Sequence, residues 1–176
     1  SNTSAIQEPE ETMRHSTLVL LFPLILVTGV CSLSAQDLHM DLAIRVLSST
    51  PLIDGHNDLP WTIRGSNIAP HDVEADAHDL RKRTVFHTDI ERLRSGMVGA
   101  QFWSVYIPYE AREEGAAKVQ LEQIDIAHQI IDKYPDVFEL ATDESGIRSS
   151  FGNRKIASML GIEGGHAIEN SLGALR

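Results

Sequence analysis

An α/β fold with parallel strands is what this sequence predicts, on three observations. Apolar runs with strand character alternate along the chain with stretches of helical periodicity. Two of those runs, "LID" at 52–54 and "KIASMLGI" at 155–162, lead into ionisable residues rather than ordinary turns. Proline or glycine stands where elements should stop, at Pro51, Gly96, Pro108 and Pro135.

The elements follow in order. A helix is expected over Asp37 to Ser48, with Leu38, Leu42 and Ile44 to Leu47 as its apolar side and Pro51 as its stop. Strand one runs from Leu52 to Asp58, and residues 62–83, rich in Asp, His, Asn and Arg, read as a loop. A helix from Thr88 to Arg94 closes at Gly96, which is expected to take the left-handed C-terminal conformation. Strand two is Met97 to Ile107. The longest helix spans Ala116 to Tyr134, where Ala117, Leu121, Ile124, His128 and Ile131 fall on one stripe at helical spacing. A shorter helix around Asp143 to Phe151 precedes strand three, "KIASMLGIEGG", and "NSLGALR" starts another helix with Asn170 as its expected cap.

The 176 residues are 42% hydrophobic, enough for the core of one ordinary domain. A formal charge of −10 and a pI near 5.2, with basic residues spread out apart from Arg81 to Arg83, argue against a nucleic-acid partner. Met13 and Arg14, the apolar run from Leu18 to Val30 and the small residues after it have the order of a secretory signal peptide over 13–35, cut after Ser34 or Ala35. An uncleaved anchor is the alternative. Residues 1–12 read as an upstream extension foreign to the native chain. Export places the protein outside the cell or at its surface. The single cysteine, Cys31, lies in the leader, so an exported domain would have neither disulfide nor thiol chemistry, and a metal site would have to use His and carboxylates.

Such a site is visible at two strand ends. In an extended strand alternate residues share a face, which puts Asp54, His56 and Asp58 on one side. Strand three then delivers Glu163 at its carboxyl end, followed by Gly164, Gly165 and His166. Parallel barrels carry their chemistry at the carboxyl ends of strands, so His56, Asp58 and Glu163 are expected to meet there, with the two glycines easing the turn. Imidazole plus carboxylate suits Zn²⁺ and related dications, and a carboxylate can bridge two metals about 3.5 to 4 Å apart. H-x-D alone equally fits a surface loop or a hydrogen-bonded strand end; its coupling to E-G-G-H is what favours metal.

Other candidates carry competing readings. Asp54 is either an acceptor that holds a ligand in place or a buried structural carboxylate. His166 reads as loop structure, and Trp61, Phe102 and Trp103 as core or pocket wall. His71, His78 and His87 are scattered without ligand spacing, and His128 reads as a packed helix residue.

"LIDGHNDLPW", "GAQFWSVYIP", "LEQID" and "GIEGGHAIENSLGALR" together resemble the N-terminal part of the membrane dipeptidase (renal dipeptidase) family, over about residues 37–176. The resemblance implies the N-terminal portion of a (β/α)8 TIM barrel of the metal-dependent hydrolase type. It also implies two zinc ions per full-length subunit, with His56 and Asp58 on the first and Glu163 bridging both as the catalytic carboxylate. The implied substrates are dipeptides, in the family also leukotriene D4, cystinyl-bis-glycine and some β-lactams, cleaved by a metal-bridging hydroxide. A homodimer and a C-terminal GPI anchor at the cell surface are further family features. A complete barrel needs about 200 to 250 residues, so this chain has room for roughly three or four of eight strands. The family's second-zinc histidines, oxyanion-stabilising histidine, substrate-binding arginine and lipid-anchor signal come later than the residues given. The chain by itself is therefore expected to be inactive. The competing expectation is a truncated, non-catalytic paralogue that acts as an interaction protein or has no function. Tyr109 stands where mammalian relatives tend to carry a disulfide cysteine.

Overall fold

A computed structural model describes residues 39–176. The expected leader at 13–35, the extension at 1–12 and Cys31 lie outside the described residues. The chain divides into two units, Ser1–Val46 and Leu47–Arg176. The helix expected from Asp37 is present over its described part as α1 (39–49). Of its expected apolar side, Leu42, Ile44 and Val46 are exposed.

Pro51 ends α1 and the chain enters β1 (Leu52–Asn57). There follow α2 (Leu59–Arg64), a 3₁₀ turn at Asp76–His78, α3 (Ile90–Ser95), β2 (Val98–Ser104), a second 3₁₀ turn at Tyr109–Glu114 and α4 (Ala116–Lys133). The last elements are β3 (Phe138–Leu140), α5 (Glu144–Gly152), β4 (Ile156–Gly161), a 3₁₀ turn at Gly165–Ile168 and α6 (Leu172–Leu175). The four strands form one sheet in the order β1-β2-β4-β3, and every pairing is parallel. This is the α/β architecture expected of part of a parallel barrel. Among the described residues no helix is long and apolar enough to cross a membrane.

β2 is the central strand. It pairs with β4 without interruption from Ala100↔Ala157 to Ser104↔Gly161. With β1 the register shifts between Asp54 and Asn57, where three steps on β1 match two on β2, Asp54↔Gln101 and Asn57↔Trp103. That bulge breaks strict alternation, yet Asp54, His56 and Asp58 all line one groove. Close approach at the start of the sheet explains Gly99: a Cβ there would lie 2.8 Å from Pro51 and 2.9 Å from the Phe151 ring.

The main core lies between β2 and the helices α2, α3 and α4. Trp103, fully buried, meets the Phe138 ring edge-on at 5.4 Å, and Phe138 meets Tyr134 in the same way at 6.2 Å. The Tyr134 hydroxyl accepts from the Leu80 N–H at 2.8 Å and donates to Asp79 Oδ1 at 3.2 Å. Burial pushes its phenol up to about 12. The region expected as a loop at 62–83 is held in the same way. Its His78 is buried, with ring nitrogens on the Asp72 carbonyl at 2.6 Å and the Ser66 hydroxyl at 3.0 Å, so this histidine is a structural strut.

Four expectations need correction. The buried face of α4 is Ala116, Val119, Gln120, Gln123, Ile126, Ala127, Ile130 and Ile131; of the expected stripe Ile131 is buried and Ile124 packs against the core, whereas Leu121 is exposed. Gln120 and Gln123 occupy core positions, which disguises the true face. The left-handed residue after α3 is Met97 (φ 55), while Gly96 keeps a right-handed conformation (φ −78). Ser171, not Asn170, caps α6 by accepting from the Ala174 N–H. Finally, β3 and α2 were not expected as elements: three residues are too few to show alternation, and Pro60 inside the first turn hides a helix whose start tolerates it.

Asp89 anchors the start of α3. Fully buried, it caps the helix through the Arg92 N–H at 2.8 Å and accepts from Arg92 Nε at 2.8 Å, while the same guanidinium donates to the Phe86 carbonyl at 2.6 Å. Burial raises the Asp89 carboxyl, but the Arg92 side chain and the helix N–H outweigh it and hold the group below the ordinary aspartate value. A depressed carboxyl contributes its full stability above the unfolded value, about 3.9, and loses it as pH falls through the folded value. Asp89→Ala is expected to cost about 3 kcal/mol in urea unfolding at pH 7. The difference from the unsubstituted protein should shrink as the measurement is taken into the acid range below pH 4.

Candidate metal centre

His56, Asp58 and Glu163 come together at the carboxyl ends of β1 and β4. His56 Nε2 lies 3.1 Å from Asp58 Oδ1 and 3.6 Å from Glu163 Oε2, and one ligand atom from each residue lies within 4.8 Å of the others. Two ligands on a tetrahedral zinc, each about 2.1 Å from the ion, stand about 3.4 Å apart. The observed spacings bracket that value, so the donor set fits a dication in chemistry and in size. The three side chains are each about half exposed, at 54%, 53% and 53%, which leaves room for a substrate. Among the described residues, the salt bridges of Asp58 and Glu163 are to His56 alone, so two carboxylates converge without a lysine or arginine to balance them.

Each residue arrives by a different local device. His56 is the penultimate residue of β1, and its backbone N–H donates to Asp54 Oδ1 at 3.1 Å. Asp54 thus holds the backbone of a ligand candidate, not its ring. Asp58 has left the strand: it is the N-cap of α2, with φ −84 and ψ 19. An N-cap aspartate ordinarily spends its carboxylate on the N–H groups of the first turn. Asp58 makes no such bond, and its carboxylate faces His56 instead. Its carbonyl starts the helix by accepting from the Thr62 N–H at 2.9 Å and the Thr62 hydroxyl at 3.0 Å.

Glu163 lies two residues beyond β4, where the backbone turns at Gly164 with φ 93 and ψ 119. An L side chain reaches that conformation only with strain, and a Cβ would stand 2.4 Å from the His166 ring. His166 fixes the turn: its Nε2 pairs with the Ile107 carbonyl at 3.1 Å and its ring stacks edge-on against Tyr109. Glu169 adds a second tie by accepting from the Ala117 N–H at the start of α4.

Trp103 is core, Phe102 is partly buried against Ala100 and Met159, and Trp61 meets the Tyr106 ring edge-on at 5.7 Å. His71 and His87 are exposed and His128 is half-buried; none of the three joins the cluster. A groove of about 590 Å³ runs from His56 and Asp58 along Val85, His87 and Thr88. Sequence reasoning missed Asn57, Thr88 and Gln101, which form a hydrogen-bonded set behind the ligand candidates. The signal was a polar residue in an apolar strand, Gln101 in "GAQFW", and a Thr-Asp pair before a helix.

The sequence model of the family described as membrane dipeptidase (peptidase family M19) matches residues 40–176. Dipeptidase verJ of Clonostachys rogersoniana is 38% identical over 157 residues, covering 84% of this chain and 39% of that protein. Dipeptidase 3 of Mus musculus is 40% identical over 134 residues, covering 76% of this chain and 26% of that protein. In fold, the chain resembles a metallo peptidase from Rhodobacter sphaeroides, liganded with a phosphinate mimic of the dipeptide L-Ala-D-Ala, at a TM-score of 0.51 and 20% identity. The match covers 66% of this chain and 39% of that structure. The chain thus spans about a quarter to two fifths of the length of the curated relatives it matches.

The turn that presents Glu163 gives a contrast between neighbours. Gly164→Ala is expected to lose about 1–3 kcal/mol in thermal or urea unfolding, since a strained backbone has to be held there. Gly165→Ala, where a Cβ meets nothing within 4 Å, should stay within about 0.5 kcal/mol.

Proposed function

The chain belongs to the membrane dipeptidase family, and on that premise we propose that it is part of a zinc-dependent dipeptidase whose first metal is held by His56, Asp58 and Glu163. The observation that carries the proposal is the convergence of one imidazole and two carboxylates, with no lysine or arginine to balance them, at the carboxyl ends of β1 and β4, in a chain matched by the family over 40–176. Bound zinc would supply a water of lowered pKa and a Lewis acid for the scissile carbonyl. The residues do the rest. His56 offers Nε2 from a backbone held by Asp54, and Asp58 and Glu163 supply the negative charge that makes a dication favourable in a half-exposed site. Glu163, arriving on its own turn, has a second carboxylate oxygen free to reach a second cation.

The fuller reading comprises a second zinc, dipeptides as substrates, a homodimer, and export to the cell surface with a C-terminal lipid anchor. Its support is family membership. Because the chain spans only a part of its relatives' length, it supplies one side of the site, and residues 36–176 alone are proposed to be inactive.

The test is hydrolysis of glycyl-D-alanine by the full-length protein, with zinc and with a chelator. His56→Ala, Asp58→Ala and Glu163→Ala are each expected to lower kcat/KM by a factor on the order of 10³ or more, about 4 kcal/mol of transition-state stabilisation. Chelation should abolish turnover and added zinc restore it. Activity that survives all three substitutions would remove the proposed centre from the reaction, and full-length protein without turnover would leave a binding role in its place.

A further inference from the structure

We infer that Asn57 is a positioning residue for the proposed metal centre, acting by holding the turn around Asp58 so that its carboxylate stays beside His56. The inference rests on the metal-centre reading above. Asn57 stands between two ligand candidates, His56 on β1 and Asp58 at the start of α2, and its side chain is half-buried while theirs are exposed. Its Oδ1 accepts from the Leu59 N–H at 3.1 Å. Leu59 opens α2, and Pro60 behind it has no N–H to offer, so the amide oxygen of Asn57 takes the first donor of the helix. Leu59 is the first helical residue, short of the N–H groups an N-cap side chain ordinarily takes, so this bond closes a turn around Asp58, whose own carboxylate makes no cap bond and faces His56.

The Asn57 amide is itself fixed on two sides. Its Nδ2 donates to Thr88 Oγ1 at 3.0 Å and to Gln101 Oε1 at 3.3 Å. Thr88, next to the fully buried Asp89, is tied to the start of α3, and Gln101 is fully buried on β2. Gln101 Nε2 in turn donates to the Phe102 carbonyl at 3.0 Å and the Asp54 carbonyl at 3.4 Å. One side chain therefore binds the turn between His56 and Asp58 to β2 and α3. Without it, the turn that carries Asp58 loses its ties to β2 and α3, and the Asp58 carboxylate is no longer held in place beside His56.

The test is zinc affinity of the full-length protein, measured by competition with a chromophoric chelator, in a double-mutant cycle. Asn57→Ala is expected to weaken zinc binding at least tenfold, as loss of an outer support typically does. In an Asp58→Ala background the same substitution is expected to change affinity less than twofold, because the residue it acts through is gone. Equal losses in both backgrounds would make Asn57 a merely structural residue and overturn the inference, as would wild-type affinity in Asn57→Ala. Should Asn57→Ala not fold, Thr88→Val and Thr88→Ser decide: the first removes an anchor of the amide and should weaken zinc at least threefold, the second keeps the hydroxyl and should not. Equal affinity of those two variants overturns the inference. If His56→Ala and Glu163→Ala leave zinc binding unchanged, the metal centre itself fails and takes the inference with it; if they abolish binding, an unchanged Asn57→Ala sinks the positioning role alone.

Discussion

β1 and β4 are not paired, yet residues at and just past their carboxyl ends meet, and the strand that makes this possible is β2. Two strand spacings of about 4.8 Å separate the outer backbones. The gap is closed by side chains that project from the same end of a parallel sheet. Register sets that end: Asn57 lies beside Trp103 and Ser104 beside Gly161, so the residues just past each strand emerge at one level. A slip of one residue on either side of β2 would turn a ligand candidate to the opposite face. The fully buried Trp103, locked edge-on against Phe138, and the uninterrupted pairing from Ala100 to Ser104 make such a slip costly. Core and chemistry are thus coupled through one strand, apolar towards the helices and level at its top.

Much of this was legible in the sequence, and the illegible parts have physical causes. The strand ends could be read because ionisable residues after an apolar run are conspicuous, which is how His56, Asp58 and Glu163 were found. How Asp58 gets there could not be read: alternation along a strand treats it as a third in-line residue, whereas a bulge and a helix start deliver it. Similarly, the face of α4 was misjudged because hydropathy credits Leu121 and discounts Gln120 and Gln123. The buried Gln120 donates its Nε2 to the Val105 carbonyl at 2.8 Å. Pairwise hydrogen bonds between distant elements leave no periodic trace. The support given by Asn57, Thr88 and Gln101 escaped notice for the same reason.

The polar residues around the carboxyl ends of β1 and β4 differ in how they are partnered. Those at the solvent side, His56, Asp58 and Glu163, are left under-partnered, while the set just behind them, Asn57, Thr88 and Gln101, is hydrogen-bonded together. Asn57, Thr88, Gln101 and Asp89 together satisfy nearly all of their donors and acceptors among themselves and nearby backbone. An unsatisfied charge is tolerable where water reaches it and expensive where it does not, so the boundary between the two sets marks the floor of the site.

The sheet order carries one more consequence. β3 covers the outer flank of β4 only from Ile156 to Ser158, and the last bond along that flank runs from the Ala141 N–H to the Ser158 carbonyl. From Met159 to Gly161, the stretch that leads to Glu163, β2 is the only paired neighbour among the described residues. The lower half of β4 therefore belongs to a local, twice-supported folding unit, and its upper half to a half-open seam. Backbone amides should report this as a gradient along a single strand, protected from solvent exchange near Ala157 and opening more readily towards Leu160. The carboxylate that would clasp the metal is thus mounted on the looser end of a firmly rooted strand. Its position would tighten with any further strand that zips onto that flank.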